Sequence, residues 1–394
     1  MPRCRFATSR RSSVTWRKEP FRLFFPAGIV ASLAGVSLWL LLYAGWLEFY
    51  PGEAHARLMV QGFVGAFAMG FLGTAFPKMI ESPSLTWPEL GILLTSHAVG
   101  VIALALGNVA AGDGLFLFTW MFMTGCLSVR LAFFRKDLPP PGFVLAGMGL
   151  AAGITGTILL LTGRILVLSD FQRTLAHLLL YEAFILGPIA GIGGFLFPRF
   201  FADASSIEQT STWNHRALFA FLTGIALLAT YLAQASGWDT SGPVLRAVVA
   251  TVYLHRQFSP FRRGGSTGSL SFMLRVAIAC LLLGILVSGA NPAYRVGVKH
   301  LMFISGYGLL ILAVATRVTW GHSGNIALAA GKRRSLQIIT GIVLLGMTTR
   351  VVADMVPAIR VSHHIYAALS WIIAVAIWSW AVLRYVRISD PEEY

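Results

Sequence analysis

Along this chain, apolar residues fall in runs about twenty long, broken by short polar stretches, the signature of helices that cross a bilayer. Twelve spans are predicted, at roughly 22–47, 56–77, 88–110, 114–134, 142–163, 171–197, 213–236, 241–258, 270–289, 297–320, 335–356 and 362–387. No long linker separates them. Residues 21–388 therefore read as one membrane domain, between a basic tail (1–20) and a short acidic tail (389–394). The expected fold class is an all-α, polytopic bundle of about twelve transmembrane helices.

One stretch organises this pattern: residues 298–325, VKHLMFISGYGLLILAVATRVTWGHSGN. At about 1.5 Å per helical residue, His300 and His322 lie roughly 33 Å apart, about one bilayer thickness. The tenth span thus carries an imidazole at each end.

Composition agrees with a membrane protein. Only 12% of the 394 residues are charged, about half the share of a soluble domain, and the mean hydropathy is +0.72. The formal charge of +15 raises a nucleic-acid reading, but the basic residues cluster between apolar runs and line no single face. They fit topology determinants and contacts to anionic membrane lipid, so nucleic acid is not expected as a partner. Arg3, Arg5, Arg10, Arg11, Arg17, Lys18 and Arg22 precede the first span. Lys78, Arg135, Lys136, Arg199, Arg256, Arg262, Arg263, Lys332, Arg333, Arg334, Arg384 and Arg387 fall in later loops of the same side. The positive-inside rule places that side, and both termini, in the cytoplasm. The first run is too long for a cleaved signal segment. Cys4, Cys126 and Cys280 have no metal-site spacing, and no disulfide framework is expected.

With this topology, histidines gather at the outer face. His55 opens the second span, His177 lies one to two turns into the sixth, His300 starts the tenth, and His363 and His364 open the twelfth. Imidazole is a common ligand of haem iron, copper and zinc, and a polar ring near hydrocarbon needs a partner. His177 and His300, the deeper pair, point to a metal or haem role. His55, His363 and His364 serve equally well as ligands or as interfacial residues bonded to water and headgroups. Tyr181 and Tyr307 share helix faces with His177 and His300, and Met59 follows His55 by one turn. Arg350 and Asp354 form a local ion pair, or the arginine grips a haem propionate. His97 reads as a packing residue, and Glu182 must be protonated or paired. His215, His255 and His322 lie at inner helix ends. Glycines crowd the second span (Gly62, Gly65, Gly70, Gly73) and the sixth (Gly187, Gly191, Gly193, Gly194), where small residues let helix backbones approach. Phosphate-loop, zinc-protease, covalent-haem and serine-hydrolase motifs are absent, so any haem would be non-covalent.

The run Arg317-Val-Thr-Trp-Gly-His322-Ser-Gly resembles the ending that follows a histidine and a glycine-rich helix in the NnrS family of bacterial membrane proteins. FRLFFPAG at 21–28, HARLMVQGF at 55–63, GFLGTAFP at 70–77, AHLLLYEAF at 176–184, GGFLFPRFF at 193–201 and the Arg350 helix extend the likeness over nearly the whole chain. The resemblance implies twelve helices in the bacterial inner membrane, non-covalent haem of b-type, copper as a further metal, and a role in resistance to nitric oxide and nitrosative stress. Nitric oxide or another diatomic molecule would be its small ligand. Carried over by position, it marks His55, His177, His300, Arg317, His322 and Arg350 as cofactor residues. Two positions depart from the family pattern: Arg57 and Leu58 replace the second histidine and the glutamate of a His-x-His-Glu stretch, and Phe195 replaces the arginine of a Gly-Gly-Arg.

Two other classes remain open. A distant relative of haem–copper oxidases and NO reductases would place metal histidines on helices 2, 6 and 10, but it would carry a His-x-His pair where only His300 stands. A cofactor-free transporter would use His177, Glu182 and Arg350 as proton or substrate sites.

Overall fold

The computed structural model describes residues 16–201, 212–257, 266–290 and 294–389. Cys4, most of the basic tail, Arg262, Arg263 and the acidic residues after 389 lie outside them. Among the described residues there is no strand, and the apolar runs form twelve helical rods. These are α1 (Phe21–Tyr43), α2 (Gly52–Met79), α3 (Trp87–Ala105), α4 (Val109–Phe134), α5 (Phe143–Thr162) and α6 (Asp170–Phe200). They continue as α7 (Trp213–Ala235), α8 (Ser241–Gln257), α9 (Ser269–Val287), α10 (Arg295–Gly321), α11 (Arg334–Met355) and α12 (Pro357–Arg387). Eleven are long and apolar enough to cross a membrane. The exception is α8, whose 17 described residues include a buried arginine, Arg246.

Local chemistry sets the boundaries. Thr86 and Glu89 form a capping box at the start of α3, and Ser169 and Gln172 form one at the start of α6. The Asn108 side chain accepts from the Ala111 N–H to start α4. Pro198 ends the α-helical part of α6 in a 3₁₀ turn, Phe197–Phe200.

Three helices make the centre. Of the most apolar stretch of α2, α6 and α10, 78%, 78% and 67% is buried, against 33–50% for the other eight. The outer helices turn Leu, Ile, Val and Phe side chains outward, where lipid would meet them. Since lipid tails are as apolar as those side chains, the bundle gains little from hydrophobic burial and depends on close packing. The expected use of glycine for close approach holds at α5 against α6. A Cβ on Gly191 would lie 2.3 Å from the Gly142 carbonyl oxygen and 2.8 Å from the Ala146 nitrogen, both backbone atoms that cannot swing away. Gly191→Ala should therefore lower the thermal midpoint in detergent, at a cost of about 1–3 kcal/mol. Gly147→Ala, on the same helix pair but with nothing within 4 Å of its added Cβ, should be neutral or mildly stabilising. Equal midpoints for the two variants would refute the packing account.

Loops alternate between two ends. One end gathers Glu19, Lys78, His322 and the last turn near Val386. The other holds Tyr43, Glu53, Arg164, Asp239, Arg295 and His364.

Candidate functional site

The central helices share an irregularity that apolar periodicity does not reveal. Each contains a π-helical stretch: Leu58–Val64 in α2, Leu179–Ala183 in α6 and Leu301–Gly308 in α10. His55, His177 and His300 stand three, two and one residues before these stretches. A widened turn changes the direction in which the preceding side chains point, and such turns recur at functional sites.

Two of the three histidines are brought together. His300 lies within electrostatic reach of His55, Arg350 and Asp354, and His55 within reach of Arg350 and His364. His55 Nδ1 is 2.9 Å from the Gly35 carbonyl oxygen, and His300 Nδ1 is 2.7 Å from that of Val296. A carbonyl only accepts, so each Nδ1 carries the proton and each Nε2 keeps its lone pair. Metal-binding histidines are commonly held this way, with one ring nitrogen donating to a carbonyl and the other free to ligate. His363 Nδ1 makes the same bond to Ile359, 3.1 Å away.

Around this pair sits a polar and aromatic wall. Asp354 forms an ion pair with Arg350 at 2.8 Å and lies 3.6 Å from His364 Nε2. The other His364 nitrogen is 2.6 Å from the Tyr43 hydroxyl. The Trp39 ring packs against both His55 and His364, with centroids 5.9 and 5.3 Å away. The expected Arg350–Asp354 pair is thus present, and it belongs to a larger network with His364 and Tyr43.

His177 stands apart. Its ring stacks on Tyr181, whose other neighbour is the Arg57 guanidinium, 5.2 Å from the ring centre. Arg57, the residue that departs from the family's second histidine, is 1% exposed and pairs with Asp113 at 2.8 Å, while Gln61 donates to the same carboxylate. Beside it, Glu182 accepts from Arg246 at 2.6 Å and forms an ion pair with Lys299 at 2.7 Å. Arg246 also donates to Gln234 and lies over the Tyr231 ring. The sequence reading required a partner for Glu182 but missed Arg246. The available signal was an arginine inside an apolar span, which must itself be paired.

Arg317 and His322 lie at the opposite end of α10, a full span from His300. His322 Nδ1 donates to Glu19 at 2.5 Å, and its carbonyl accepts from Arg22. Arg22, read as part of the basic tail, is 1% exposed and also donates to the Val386 and Ile388 carbonyls, tying α1 to the end of α12. Arg199 lies over the Phe195 ring at 3.9 Å.

Burial pushes the Glu19 carboxyl up, but the hydrogen bond from His322 and the charges of His322 and Arg22 outweigh burial and hold it below its ordinary value. Such a group adds stability above its unfolded-state value, near pH 4.5, and loses it as pH falls through the lower folded value. The thermal midpoint should therefore drop below about pH 4.5, and Glu19→Gln should flatten that limb. Matching pH profiles for variant and parent would remove Glu19 from the account.

Comparison with curated proteins returns no match. The family model described as NnrS protein matches residues 15–387, which takes in all twelve helices and every site residue named above. The chain belongs to the NnrS family.

Proposed function

We propose that this protein, which its family ties to the response to nitric oxide, is a haem protein whose iron is held at the His55–His300 end of the bundle. The observation that carries this reading is the pairing of two imidazoles with Nδ1 fixed on carbonyls and Nε2 left as a base, each just before a π-helical turn. That donor set fits the one or two imidazoles a haem requires. Bound there, haem iron would supply reversible coordination of a diatomic ligand such as nitric oxide.

The residues divide the work. The carbonyls of Gly35 and Val296 orient the rings, and Trp39 packs against His55 from α1. Arg350, held by Asp354, sets a positive charge beside the imidazoles that suits a carboxylate substituent. Copper fits less well: among the described residues no group of three or more His, Cys, Asp or Glu side chains is placed to hold a metal ion. His363 and His364 frame the same end, and His177 stacks on Tyr181 apart from the pair. In the bacterial inner membrane, the end rich in Lys and Arg would face the cytoplasm and the histidine end the outside.

A transporter reading finds less support, since the Glu182 carboxylate is already engaged by two cations. The test is the visible spectrum of protein purified from haem-replete cells, oxidised and reduced, with metal analysis on the same sample. A Soret band that shifts on reduction and again on adding nitric oxide is expected. No Soret band and no stoichiometric iron would overturn the proposal.

A further inference from the structure

At the end opposite the histidine pair, α2, α6 and α10 part around a cavity of 480 Å³. Its rim carries Lys78, Arg199, Arg317 and His322, and its walls are apolar. Arg199 and Arg317 are within each other's electrostatic reach. Among the described residues neither forms an ion pair; each lies over a ring instead, Phe195 at 3.9 Å and Phe200 at 5.1 Å. The neighbouring carboxylate, Glu19, is already shared by Arg22, His322 and, at 3.9 Å, Lys78. Two like-charged guanidiniums held side by side without a carboxylate repel one another unless an anion lies between them. Each presents a planar fork that matches phosphate or carboxylate oxygens.

A second cavity adjoins it. Phe71 and Leu196 line both the first cavity and this narrower one of 90 Å³ between the same helices, walled by Phe25, Phe67, Phe184 and Ile311. A cationic cavity adjoining an apolar slot suits an amphiphile.

We propose that this cavity binds a phosphate monoester carried on an apolar chain, a lipid of the phosphatidic acid type, with Arg199 and Arg317 gripping the phosphate and the chain entering the slot. A phosphomonoester brings a charge of about −1.5 to −2 and three acceptor oxygens, enough for two guanidiniums. A single carboxylate would leave one of them unmatched, and a phosphodiester carries less negative charge than the monoester.

The experiment measures the thermal midpoint of the purified protein in neutral detergent. Dioleoyl phosphatidic acid, dioleoyl phosphatidylcholine and inorganic phosphate are added separately. Phosphatidic acid should raise the midpoint in a saturable way, phosphatidylcholine should not, and inorganic phosphate should do so only at far higher concentration. Arg199→Gln, at an exposed position, and Arg317→Gln should each weaken phosphatidic acid binding about tenfold or more. Arg199→Lys and Arg317→Lys should fold as the parent does and fall between. Equal shifts from both lipids, an inorganic phosphate effect matching that of phosphatidic acid, or full binding in the Arg199→Gln, Arg317→Gln double variant would each overturn the proposal. The readout is independent of haem content, so it stands or falls apart from the reading of the histidine end.

Discussion

Arg246→Met is expected to destabilise the bundle more than any surface change, while Arg246→Met combined with Glu182→Gln should restore part of the loss. Arg246 is fully buried and serves Glu182, Gln234, Thr230 and the Tyr231 ring. Removing it strands a carboxylate that is 2% exposed, and breaking a buried pair from one side costs about 3–5 kcal/mol. Lys299 remains 2.7 Å from Glu182, which places the expected loss near the lower end of that range. In the double variant the uncompensated charge is gone, and Lys299, 19% exposed at its side chain, can turn its ammonium toward water. The two substitutions should therefore couple, with a double variant more stable than Arg246→Met alone. Thermal midpoints of the four proteins of this cycle measure the coupling; strictly additive losses would mean that the ion pair holds nothing together.

The same triad marks the limit of what the sequence discloses. Apolar runs placed all twelve helices within a few residues, because helix length in a bilayer is set by hydrocarbon thickness and leaves its mark on every residue of the run. The Arg350–Asp354 pair was legible because its partners stand one turn apart. Pairings across helices were not. Arg57 with Asp113 and Arg246 with Glu182 are separated by 56 and 64 positions, and nothing local says which buried acid meets which base. The π-helical stretches were equally hidden. A π turn and an α turn differ in one step of the backbone hydrogen-bond ladder, and Leu301–Gly308 is apolar enough for either. The convergence of His55 and His300, against the separation of His177, therefore emerges only when three irregular helices are set side by side. Depth along the membrane was readable from position in the run. Direction around the helix axis was not.

That distinction predicts unequal roles for histidines that look alike in the sequence. If haem binds at the His55–His300 end as proposed, His300→Ala and His55→Ala should each lower its affinity by at least about 10–100-fold, the range typical for loss of an outer partner of a metal ligand. Most of the Soret absorbance should be lost on purification. His177→Ala should retain far more, because that ring stacks on Tyr181 beside Arg57 and stands apart from the His55–His300 pair. His97→Ala should retain it fully: His97 lies on α3 against Phe24. Loss of haem could also follow from a bundle that no longer packs, so the discriminating measurement is rescue. Imidazole added to His300→Ala supplies the missing Nε2 without repairing any packing, and should recover part of the Soret band. It should do nothing for Gly191→Ala, where the fault lies in the backbone contact with Gly142. If instead His177→Ala loses the band and His55→Ala keeps it, the ligand pair is wrong, and the iron belongs beside Arg57 and Lys299.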